Sequence, residues 1–555
     1  MPAQILRTAH LMLNSFLKRF FHRPLSLPEV SLAAATFVVL FDNQSFWHNL
    51  VARLGLVGFE HWRLVFTLGA ILILLFNAVF LLVSFRPLFK PFLVGILLIA
   101  ASVSYFSDTF GVVIDKSMIR NILETDVHEA GELITWPLFW HLFVYGIIPS
   151  ALVVLIPIRY PIWWRGLLLR TGAIVVSLVI AVALFMTDYK GFVLFGRENR
   201  DLQVFINPSY PVYAASSVLK MKNFAHASET LNVVASDAMR EGKTNRTVVV
   251  LVIGETARAR EMDFNGYGRN TTPYTDRGDV INFTDVESCA TDTADSVPCM
   301  FSPFGRDQFR RSKATGSENL LDVLQRTGVN VVWRDNDSGS KKVADRVTYE
   351  DFSKRKNSPF CSDDNCYDEV LLDGLDDLIR NTQRDMLVVL HVKGSHGPSY
   401  YKRSPANLKV FTPECTQDNI QDCPQQTIVN AYDNTIVYTD YVLSKVIDLL
   451  QAQNSATAML YVSDHGESLG ESGLYLHGLP YALAPAEQTH VPMQFWASKE
   501  FLADHHLDQK SLLAKRSAPY SHDNLFHSML GLFKIRTAIY RSDLDIFSSK
   551  GRHLG

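Results

Sequence analysis

The sequence has no excess of either charge, no internal repeat and no low-complexity tract. Its 53 lysines and arginines nearly balance its 56 aspartates and glutamates, so the formal net charge is −3. A protein that binds nucleic acid is expected to concentrate positive charge, and this composition gives no sign of that. The chain of 555 residues is too long for one typical core, so we predict at least two domains.

Cysteine is absent from the first half of the chain, and the six cysteines all follow residue 288 in three closely spaced pairs. Six cysteines allow fifteen pairings, of which pairing between near neighbours is the simplest. No C-x-x-C pair is present, which argues against a zinc–cysteine site. Disulfides persist outside the cytosol, so this half of the chain is expected in the periplasm. The predicted disulfides are Cys289–Cys299, Cys361–Cys366 and Cys415–Cys423.

Long stretches almost without charge crowd the first 190 residues. A bilayer core of about 30 Å takes roughly 20 residues of helix, and five runs meet this length. The first run contains Glu29 and Asp42 and is the least regular. A cleaved signal peptide is the alternative for the start, but the apolar run begins late and four more follow. We therefore predict a transmembrane domain over 1–188, with helices near 29–50, 64–85, 89–107, 137–158 and 169–187.

Lysine and arginine in the short loops predict the orientation of these spans. They occur in the N-terminal segment and in the loops that follow the second and fourth spans. These segments are expected in the cytoplasm, which places everything beyond residue 190 on the opposite side. The acidic loop 108–136 falls on the same outer side. It is either a solvated helical loop or a surface that contacts lipid headgroups.

The pattern changes after an amphipathic connector and linker predicted over 189–245. From Arg246 on, short apolar runs alternate with helical patterns, which is typical of an α/β domain with a largely parallel sheet. Functional residues in such sheets follow the C-terminal ends of the strands. We predict a catalytic domain over 246–555, with strands at 248–253, 329–333, 386–390 and 458–462 and helices at 320–326, 369–380 and 432–451.

Several residues of metal-binding type follow these predicted strand ends. Glu255 follows the first strand, His391 and His396 follow the third, and Asp464 and His465 follow the fourth. One such residue alone is usually structural, but the ends of parallel strands converge on one edge of the sheet. Carboxylate and imidazole ligands at this edge favour zinc.

A hydroxyl-rich loop between two cysteines supplies a candidate nucleophile, Thr293, at the start of a predicted helical segment. Backbone N–H groups at a helix start can hold phosphate oxygens. A hydroxyl needs a base or a metal to become nucleophilic. The alternative is a purely structural, disulfide-closed loop. If Thr293 is the nucleophile, its oxygen completes a four-coordinate zinc site formed by Glu255, Thr293, Asp464 and His465.

Three further residues are assigned to the substrate side of this site. His396 and His477 would face the substrate phosphate or hold a second metal. Lys341 would neutralise phosphate charge, and its alternative is a solvated loop lysine.

Six short motifs occur together in this chain: GETAR at 254–258, NGY at 265–267, SVPCMF at 296–301, GSHGP at 394–398, SDHGESLGE at 463–471 and HG at 477–478. In this combination they resemble the phosphoethanolamine transferases that modify lipid A, the family of the mobile colistin-resistance enzymes. The resemblance covers essentially the whole chain. It implies five transmembrane helices followed by an α/β domain with the alkaline-phosphatase-like, sulfatase-type fold.

The resemblance also implies a function. It implies a monomeric, multi-pass protein of the bacterial inner membrane, with zinc as cofactor, phosphatidylethanolamine as donor and a lipid A phosphate as acceptor. Thr293 would carry the phosphoethanolamine transiently, and the product would confer polymyxin and colistin resistance. Residues that match the family's substrate-side positions are Lys341, His391, His396, His477, Asn121, Thr125 and Glu129.

Two departures from related patterns are visible. Several relatives carry a cysteine pair near Ser340 and Ala344, which this chain lacks, so the Lys341 loop is less constrained. Met300 stands where the sulfatase signature requires arginine, which argues against formylglycine chemistry. The alternatives kept open are a lipopolysaccharide core sugar as acceptor, a phosphoglycerol donor, and a non-enzymatic zinc-binding envelope protein.

Overall fold

The structure is a computed structural model that describes residues 24–54, 59–124, 131–225, 231–241, 245–353, 355, 358–362, 366–417 and 419–548. The described residues form two compact units. The first contains the described chain up to Asp115 together with Ile134–Ser216. The second contains the described parts of Lys116–Leu133 and the described chain from Ser217 on. The segment that follows the third predicted span therefore belongs to the second unit, although it precedes the rest of that unit by about a hundred residues in the sequence.

The first unit is helical, and its long helices are built from the apolar runs. Among the described residues, four helices are long and apolar enough to cross a membrane: Trp62–Leu82, Phe89–Phe110, Trp136–Leu155 and Trp163–Met186. The third contains a π-helical turn at Leu142–Ile147 between its α-helical parts Trp136–His141 and Ile148–Leu155. Each lies where a span was predicted. The other described helices of this part of the chain are Leu27–Phe41, Gln44–Leu54, Tyr189–Glu198, the 3₁₀ turn Arg200–Phe205 and Ser209–Ala225. The last of these runs from the first unit into the second, which resumes at Ser217.

The first predicted span, 29–50, is not one continuous helix. It consists of Leu27–Phe41, which has 15 residues, and Gln44–Leu54, which has 11, with a break at Asp42 and Asn43. Glu29 lies in the first turn of helix Leu27–Phe41 and does not break it. Its carboxylate accepts a hydrogen bond from the backbone N–H of Ser26, which caps the start of this helix. A five-span topology therefore stays a prediction for this first segment.

The second unit is organised around a mostly parallel seven-stranded sheet. Five neighbouring strands, from Ala456–Ser463 to one edge of the sheet, pair in parallel. On the other side of Ala456–Ser463, strands Met493–Ala497 and Ile281–Phe283 pair antiparallel. The strands lie in the order Ile281–Phe283, Met493–Ala497, Ala456–Ser463, Thr247–Gly254, Met386–His391, Asn330–Asp335 and Thr348–Asp351. The four apolar runs singled out in the sequence are central strands of this sheet.

Both faces of the sheet are buried, which explains why its strands are continuously apolar. Val248 and Val250 point into a cluster that includes Ile447 of helix Gln425–Gln451. Val249 and Leu251 point into the cluster on the opposite face. Every residue of Thr247–Gly254 is buried. Each large aliphatic side chain buried in this way contributes about 1.5–3 kcal/mol to folding.

Shorter elements surround the sheet. The helix predicted over 369–380 is divided by Gly374 (φ 67°) into the 3₁₀ turn Asp368–Leu372 and helix Leu375–Asn381. Two-stranded pairings join Val286–Glu287 to Tyr520–Ser521, Met239–Arg240 to Ile535–Arg536, and Ser468–Leu469 to Tyr475–Leu476. The other helices are Lys116–Glu124, Thr293–Met300, Gly305–Gln308, Arg311–Thr315, Leu320–Arg326, Ala486–Thr489, Lys499–Asp504, Gln509–Ala514 and Asp523–Leu532.

Three disulfides join cysteines that are close in the sequence. The pairs are Cys289–Cys299, Cys361–Cys366 and Cys415–Cys423, as predicted from their spacing. The first closes the loop that leads into helix Thr293–Met300.

Candidate active site

The register of the parallel strands brings the two acidic residues together. Ser463 pairs with Gly254 at the C-terminal ends of two neighbouring strands, so the residues that follow, Asp464 and Glu255, leave the sheet side by side. The backbone N–H of Asp464 donates to the carbonyl of Gly254 at 2.9 Å. Glu255 and Asp464 are both completely buried. A site at the carboxyl edge of the sheet therefore follows from the strand pairing itself.

Thr293 is the first residue of helix Thr293–Met300. Asp292 caps this helix, because its carboxylate accepts the backbone N–H of Asp295 at 3.0 Å. The helix is attached to the sheet edge by Ser296, whose hydroxyl donates to the carbonyl of Asp464 at 2.5 Å. The disulfide between Cys289 and Cys299 closes the loop around it. These contacts fix the position of the Thr293 hydroxyl relative to Asp464.

Four predicted zinc ligands meet at this point. The Thr293 hydroxyl oxygen lies 2.9 Å from Oε2 of Glu255 and 3.2 Å from Nε2 of His465. The same His465 nitrogen lies 3.5 Å from Oε1 of Glu255 and 3.5 Å from Oδ2 of Asp464. Thr293 is 5 % exposed and the other three are 0 % exposed. The other three side chains thus each lie within 3.5 Å of Nε2 of His465.

The donor set fits zinc on structural grounds. Oε1 of Glu255 and Oδ2 of Asp464 are buried and have no hydrogen-bond partner, which is costly for a carboxylate unless a cation binds it. Nδ1 of His465 lies 2.9 Å from the carbonyl of Gly466 and is assigned as the protonated nitrogen. This leaves the lone pair of Nε2 for a metal, as in histidines that ligate zinc. Two carboxylates, an imidazole and a hydroxyl would supply four donors of types that zinc binds.

The electrostatics of the group point the same way. Burial, reinforced by the charge of Asp464, raises the pKa of Glu255 well above its usual range. Burial lowers the pKa of His465 far below its usual range, so its imidazole is neutral. Without a cation, the negative charges of these two buried carboxylates would repel each other. A divalent ion would remove this repulsion.

A second group of ligand-type atoms adjoins the first. Ligand atoms of Glu255, Asp337 and His391 lie within 4.8 Å of one another. Nδ1 of His391 is 3.0 Å from Oδ2 of Asp335, and its Nε2 is 3.7 Å from Oδ2 of Asp337. Burial alone would lower the pKa of His391, but Asp335 raises it to about 9. A protonated His391 therefore places positive charge beside the carboxylates.

His477 is held by a buried carboxylate that the sequence analysis did not single out. Its Nδ1 lies 2.7 Å from Oε2 of Glu467, whose Oε1 accepts the hydroxyl of Tyr400 at 2.6 Å. Burial alone would lower the pKa of His477, whereas Glu467 raises it. The rings of His477 and His465 are 4.4 Å apart between centroids, and those of His477 and His396 are 5.6 Å apart. The three histidines thus line one side of the site.

The other predicted substrate-side residues are placed as follows. Lys341 is 7 % exposed, and its ammonium donates to the carbonyl and hydroxyl of Ser338 at 2.9 and 2.7 Å. With Lys342, it lines a cavity of about 410 Å³. Asn121 lies on helix Lys116–Glu124. Thr125 and Glu129 lie outside the described residues.

Comparison with known proteins shows the family of this fold and site. The family model described as "Sulfatase" matches residues 247–535, and that described as "Phosphoethanolamine transferase EptA/EptB" matches residues 72–223. The chain is 36 % identical over 542 residues to "Phosphoethanolamine transferase EptA" of Escherichia coli K12, covering 96 % of this chain and 99 % of that protein. The chain belongs to the phosphoethanolamine transferases.

Two further relatives agree. "Phosphatidylethanolamine transferase Mcr-1" of Escherichia coli is 38 % identical over 490 residues, covering 85 % of the transferase described here and 88 % of Mcr-1. The integral membrane lipooligosaccharide phosphoethanolamine transferase A of Neisseria meningitidis superposes with a TM-score of 0.91 at 36 % identity, covering 96 % of this chain and 100 % of that one. The transferase is thus an integral membrane enzyme with a sulfatase-type C-terminal domain.

Sequence reasoning missed two residues of the transferase's site. Asp337 follows strand Asn330–Asp335, so the strand-end rule that found Glu255 also applied to it. Glu467 lies within a motif on which the resemblance was based, but its contact with His477 depends on a turn that sequence alone does not specify. Both carboxylates are buried, and this burial, which is visible only in the structure, distinguishes them from the solvated acidic residues of other loops.

Proposed function

We propose that this transferase moves phosphoethanolamine from phosphatidylethanolamine to a lipid A phosphate in two steps, through a covalent ester on Thr293. The observation that carries the proposal is the position of the Thr293 hydroxyl, at a helix start and within 3.2 Å of both Glu255 and His465. A two-step reaction lets one site serve two lipids in turn. The names of the EptA and Mcr relatives support the transferred group.

In the first step the Thr293 oxygen attacks the phosphorus of phosphatidylethanolamine. The new bond joins that oxygen to phosphorus, and the bond from phosphorus to the diacylglycerol oxygen breaks. Glu255 accepts the hydroxyl hydrogen bond at 2.9 Å and is placed to take the proton. The proton then passes to the departing oxygen, so that neutral diacylglycerol leaves.

In the second step a phosphate oxygen of lipid A attacks the same phosphorus. The bond to Thr293 breaks, and the threonine oxygen takes a proton from the acceptor phosphate monoanion with Glu255 as carrier. Lys341, His396 and His477 supply positive or hydrogen-bonding groups for the phosphoryl oxygens. Glu467 keeps His477 in one orientation by accepting from its Nδ1.

Glu255, Thr293, Asp464 and His465 would hold a zinc ion. The chemistry that zinc supplies when bound is a lowered pKa for the ligating hydroxyl and neutralisation of charge on the phosphoryl oxygens. The unpartnered oxygens of Glu255 and Asp464 support this assignment.

The proposal includes the location of the protein. The apolar segment at Leu27–Phe41 would enter the membrane with the four longer helices, so that the N-terminus lies in the cytoplasm of a bacterial cell and the catalytic domain, 246–555, in the periplasm. The enzyme would act as a monomer in the inner membrane. The added ethanolamine amine offsets negative charge on lipid A, which should weaken the binding of polymyxin and colistin.

The test compares the wild type with Thr293→Ala as full-length proteins in detergent. The wild type should release diacylglycerol from labelled phosphatidylethanolamine and carry one phosphoethanolamine on Thr293 by intact-protein mass spectrometry. Thr293→Ala should do neither, and Thr291→Ala, in the same loop, should retain the covalent adduct. Normal diacylglycerol release by Thr293→Ala would refute the proposal.

The acceptor is tested separately by mass spectrometry of lipopolysaccharide from cells that express the chain. Phosphoethanolamine on a lipid A phosphate supports the assignment. Its appearance only on a core sugar, or transfer of phosphoglycerol instead, would keep the mechanism and change the substrate.

A further inference from the structure

The described parts of the outer loop 116–133, which are residues 116–124 and 131–133, belong to the same compact unit as the seven-stranded sheet. Its first part is helix Lys116–Glu124, which has no fully buried residue. The contacts of its described residues with the rest of the unit include a hydrogen bond from Ser117, ion pairs of Arg120, Glu124 and Glu132, and a close approach of Met118. These contacts fall near three residues of the proposed site.

The first anchor joins this helix to the nucleophile helix. The hydroxyl of Ser117 donates to Oδ2 of Asp292 at 2.6 Å. The guanidinium of Arg120 donates to Oδ1 of Asp295 at 2.8 Å. Asp292 and Asp295 flank Thr293 in the sequence, so both contacts are made on the first turn that carries the nucleophile.

The same anchor continues through two more charges. Arg311 lies 3.5 Å from Asp295 and donates to both carboxylate oxygens of Glu124 at 2.7 Å. Arg120 and Glu124 are four residues apart on one helix and therefore face the same side. Arg120 pairs with Asp295, Asp295 with Arg311, and Arg311 with Glu124, so the four charges alternate in sign. The side chains of Asp295 and Arg311 are only 19 % and 12 % exposed. Ion pairs that are partly shielded from water and linked in a network hold more firmly than isolated surface pairs.

The second anchor lies at the other end of the loop. Oε2 of Glu132 accepts from the guanidinium of Arg403 at 2.7 Å. The Nε of Arg403 donates to the carbonyl of His396 at 2.8 Å, and the Arg403 side chain is 3 % exposed. Glu132 therefore acts on the backbone of a substrate-side histidine through one buried arginine.

Met118 makes a third contact. A side chain at Gly478 would begin 2.8 Å from the terminal methyl of Met118. Gly478 follows His477, so the loop helix reaches the turn that carries this histidine. The outer loop thus contacts sequence neighbours of Thr293 and of His477. It reaches the backbone of His396 through Arg403.

From this arrangement we infer that Arg120 and Glu132 are positioning residues of the transfer reaction. They hold the described parts of the outer loop, 116–124 and 131–133, against the rest of the second unit, so that the headgroup of the lipid donor is confined next to Thr293. Neither residue reaches the reacting atoms; Arg120 acts through Asp295 and Glu132 acts through Arg403. The inference rests on the proposed function, because it assumes a phospholipid donor.

The test uses the full chain in mixed micelles in which the mole fraction of phosphatidylethanolamine is varied. Arg120→Ala and Glu132→Gln should each raise the KM for the lipid by about tenfold and leave kcat within about threefold, because a positioned substrate is lost and the chemical groups are not. Arg120→Lys should restore most of the KM. Zinc content by mass spectrometry and the thermal unfolding midpoint should equal those of the wild type.

Two comparisons show which contacts are responsible. In an Asp295→Asn background, Arg120→Ala should add little, since the partner through which Arg120 acts has already lost its charge. Arg541→Ala is the matched control, because it removes an arginine whose ion pair with Asp543 is exposed. It should leave both KM and kcat unchanged.

Several results would overturn the inference. An unchanged KM in both variants would show that the anchors do not position the donor, and a loss of zinc or of the unfolding midpoint would show a structural role only. A fall in kcat at constant KM would place the effect on the chemistry instead. If the wild type itself releases no diacylglycerol, the proposed function fails first, and this inference falls with it.

Discussion

Replacing Asp464 by Asn should separate the electrostatic effect of this carboxylate on Glu255 from its proposed role as a zinc ligand. In the metal-free protein, at a pH at which both carboxylates are ionised, Asp464→Asn removes one of two fully buried like charges, and the new amide can donate to Glu255. The metal-free variant should therefore unfold at a higher temperature than the metal-free wild type. It should also lose the response to zinc, because one of four ligands is gone.

The size of the zinc response in the wild type can be estimated. At a free zinc concentration about a hundredfold above Kd, binding adds about 2.7 kcal/mol to the free energy of unfolding. For a cooperative unit of about 300 residues the entropy of unfolding is about 0.6 kcal/mol per kelvin, so the midpoint should rise by about 4 °C.

The pH dependence has a definite sign. Burial and mutual repulsion raise the pKa of both Glu255 and Asp464 in the folded protein. The folded metal-free state therefore keeps protons that the unfolded state releases at its ordinary pKa values, which are 4.5 for Glu255 and 3.8 for Asp464. The stability that these protonated groups contribute is present at lower pH and is lost as pH rises through the raised values. Asp464→Asn should flatten this loss, and zinc should oppose it in the wild type only.

The assay is differential scanning fluorimetry of the detergent-solubilised protein, with and without a chelator, from pH 5 to 8. Asn at 464 retains the oxygen that accepts the backbone N–H of His465, so the fold should tolerate it. Two results would show that this edge of the sheet does not bind zinc as proposed. One is an unfolding midpoint of the metal-free variant below that of the metal-free wild type, and the other is a wild-type midpoint that does not change on chelation.

Two further predictions concern groups around the site. Glu467→Gln keeps the shape of the side chain but removes the charge that orients His477. The kcat for diacylglycerol release should therefore fall about tenfold or more, while the zinc content stays constant. An unchanged kcat would show that Glu467 has no part in the reaction. Replacing Cys289 and Cys299 by serine opens the loop around the nucleophile and should lower the free energy of unfolding by about 2–3 kcal/mol and also lower kcat. The same change at Cys415–Cys423 should lower stability alone, and equal effects on kcat would show that the first disulfide has no special role.

The site was largely predictable because parallel strands fix where their ends lie. Once Glu255 and Asp464 are placed directly after neighbouring strands, register alone puts them side by side. Thr293 was found by a different signal, a hydroxyl at a predicted helix start. The structure brings these residues together with His465, within 3.5 Å between the closest atoms.

The misses have a common physical cause. The break at Asp42, the role of Asp337 and the contact of Glu467 with His477 all depend on contacts that local pattern does not encode. Apolar periodicity shows which residues are buried but not which polar side chains meet across the core. The outer loop shows this most clearly. The composition of the acidic loop after the third span was compatible with a solvated loop and with a contact surface, and only the structure shows that its described residues from Lys116 on belong to the second unit.

The catalytic unit is discontinuous along the chain, and this has a consequence for how the protein is made. Ser117 and Asp292 are 175 residues apart, and helices Trp136–Leu155 and Trp163–Met186 lie between them in the sequence. During synthesis the outer loop emerges first and has no partner until the sheet has been completed. A polypeptide that begins after residue 216 would contain the whole sheet together with Glu255, Thr293, Asp464 and His465, yet it would never acquire the hydrogen bond from Ser117 or the charge of Arg120.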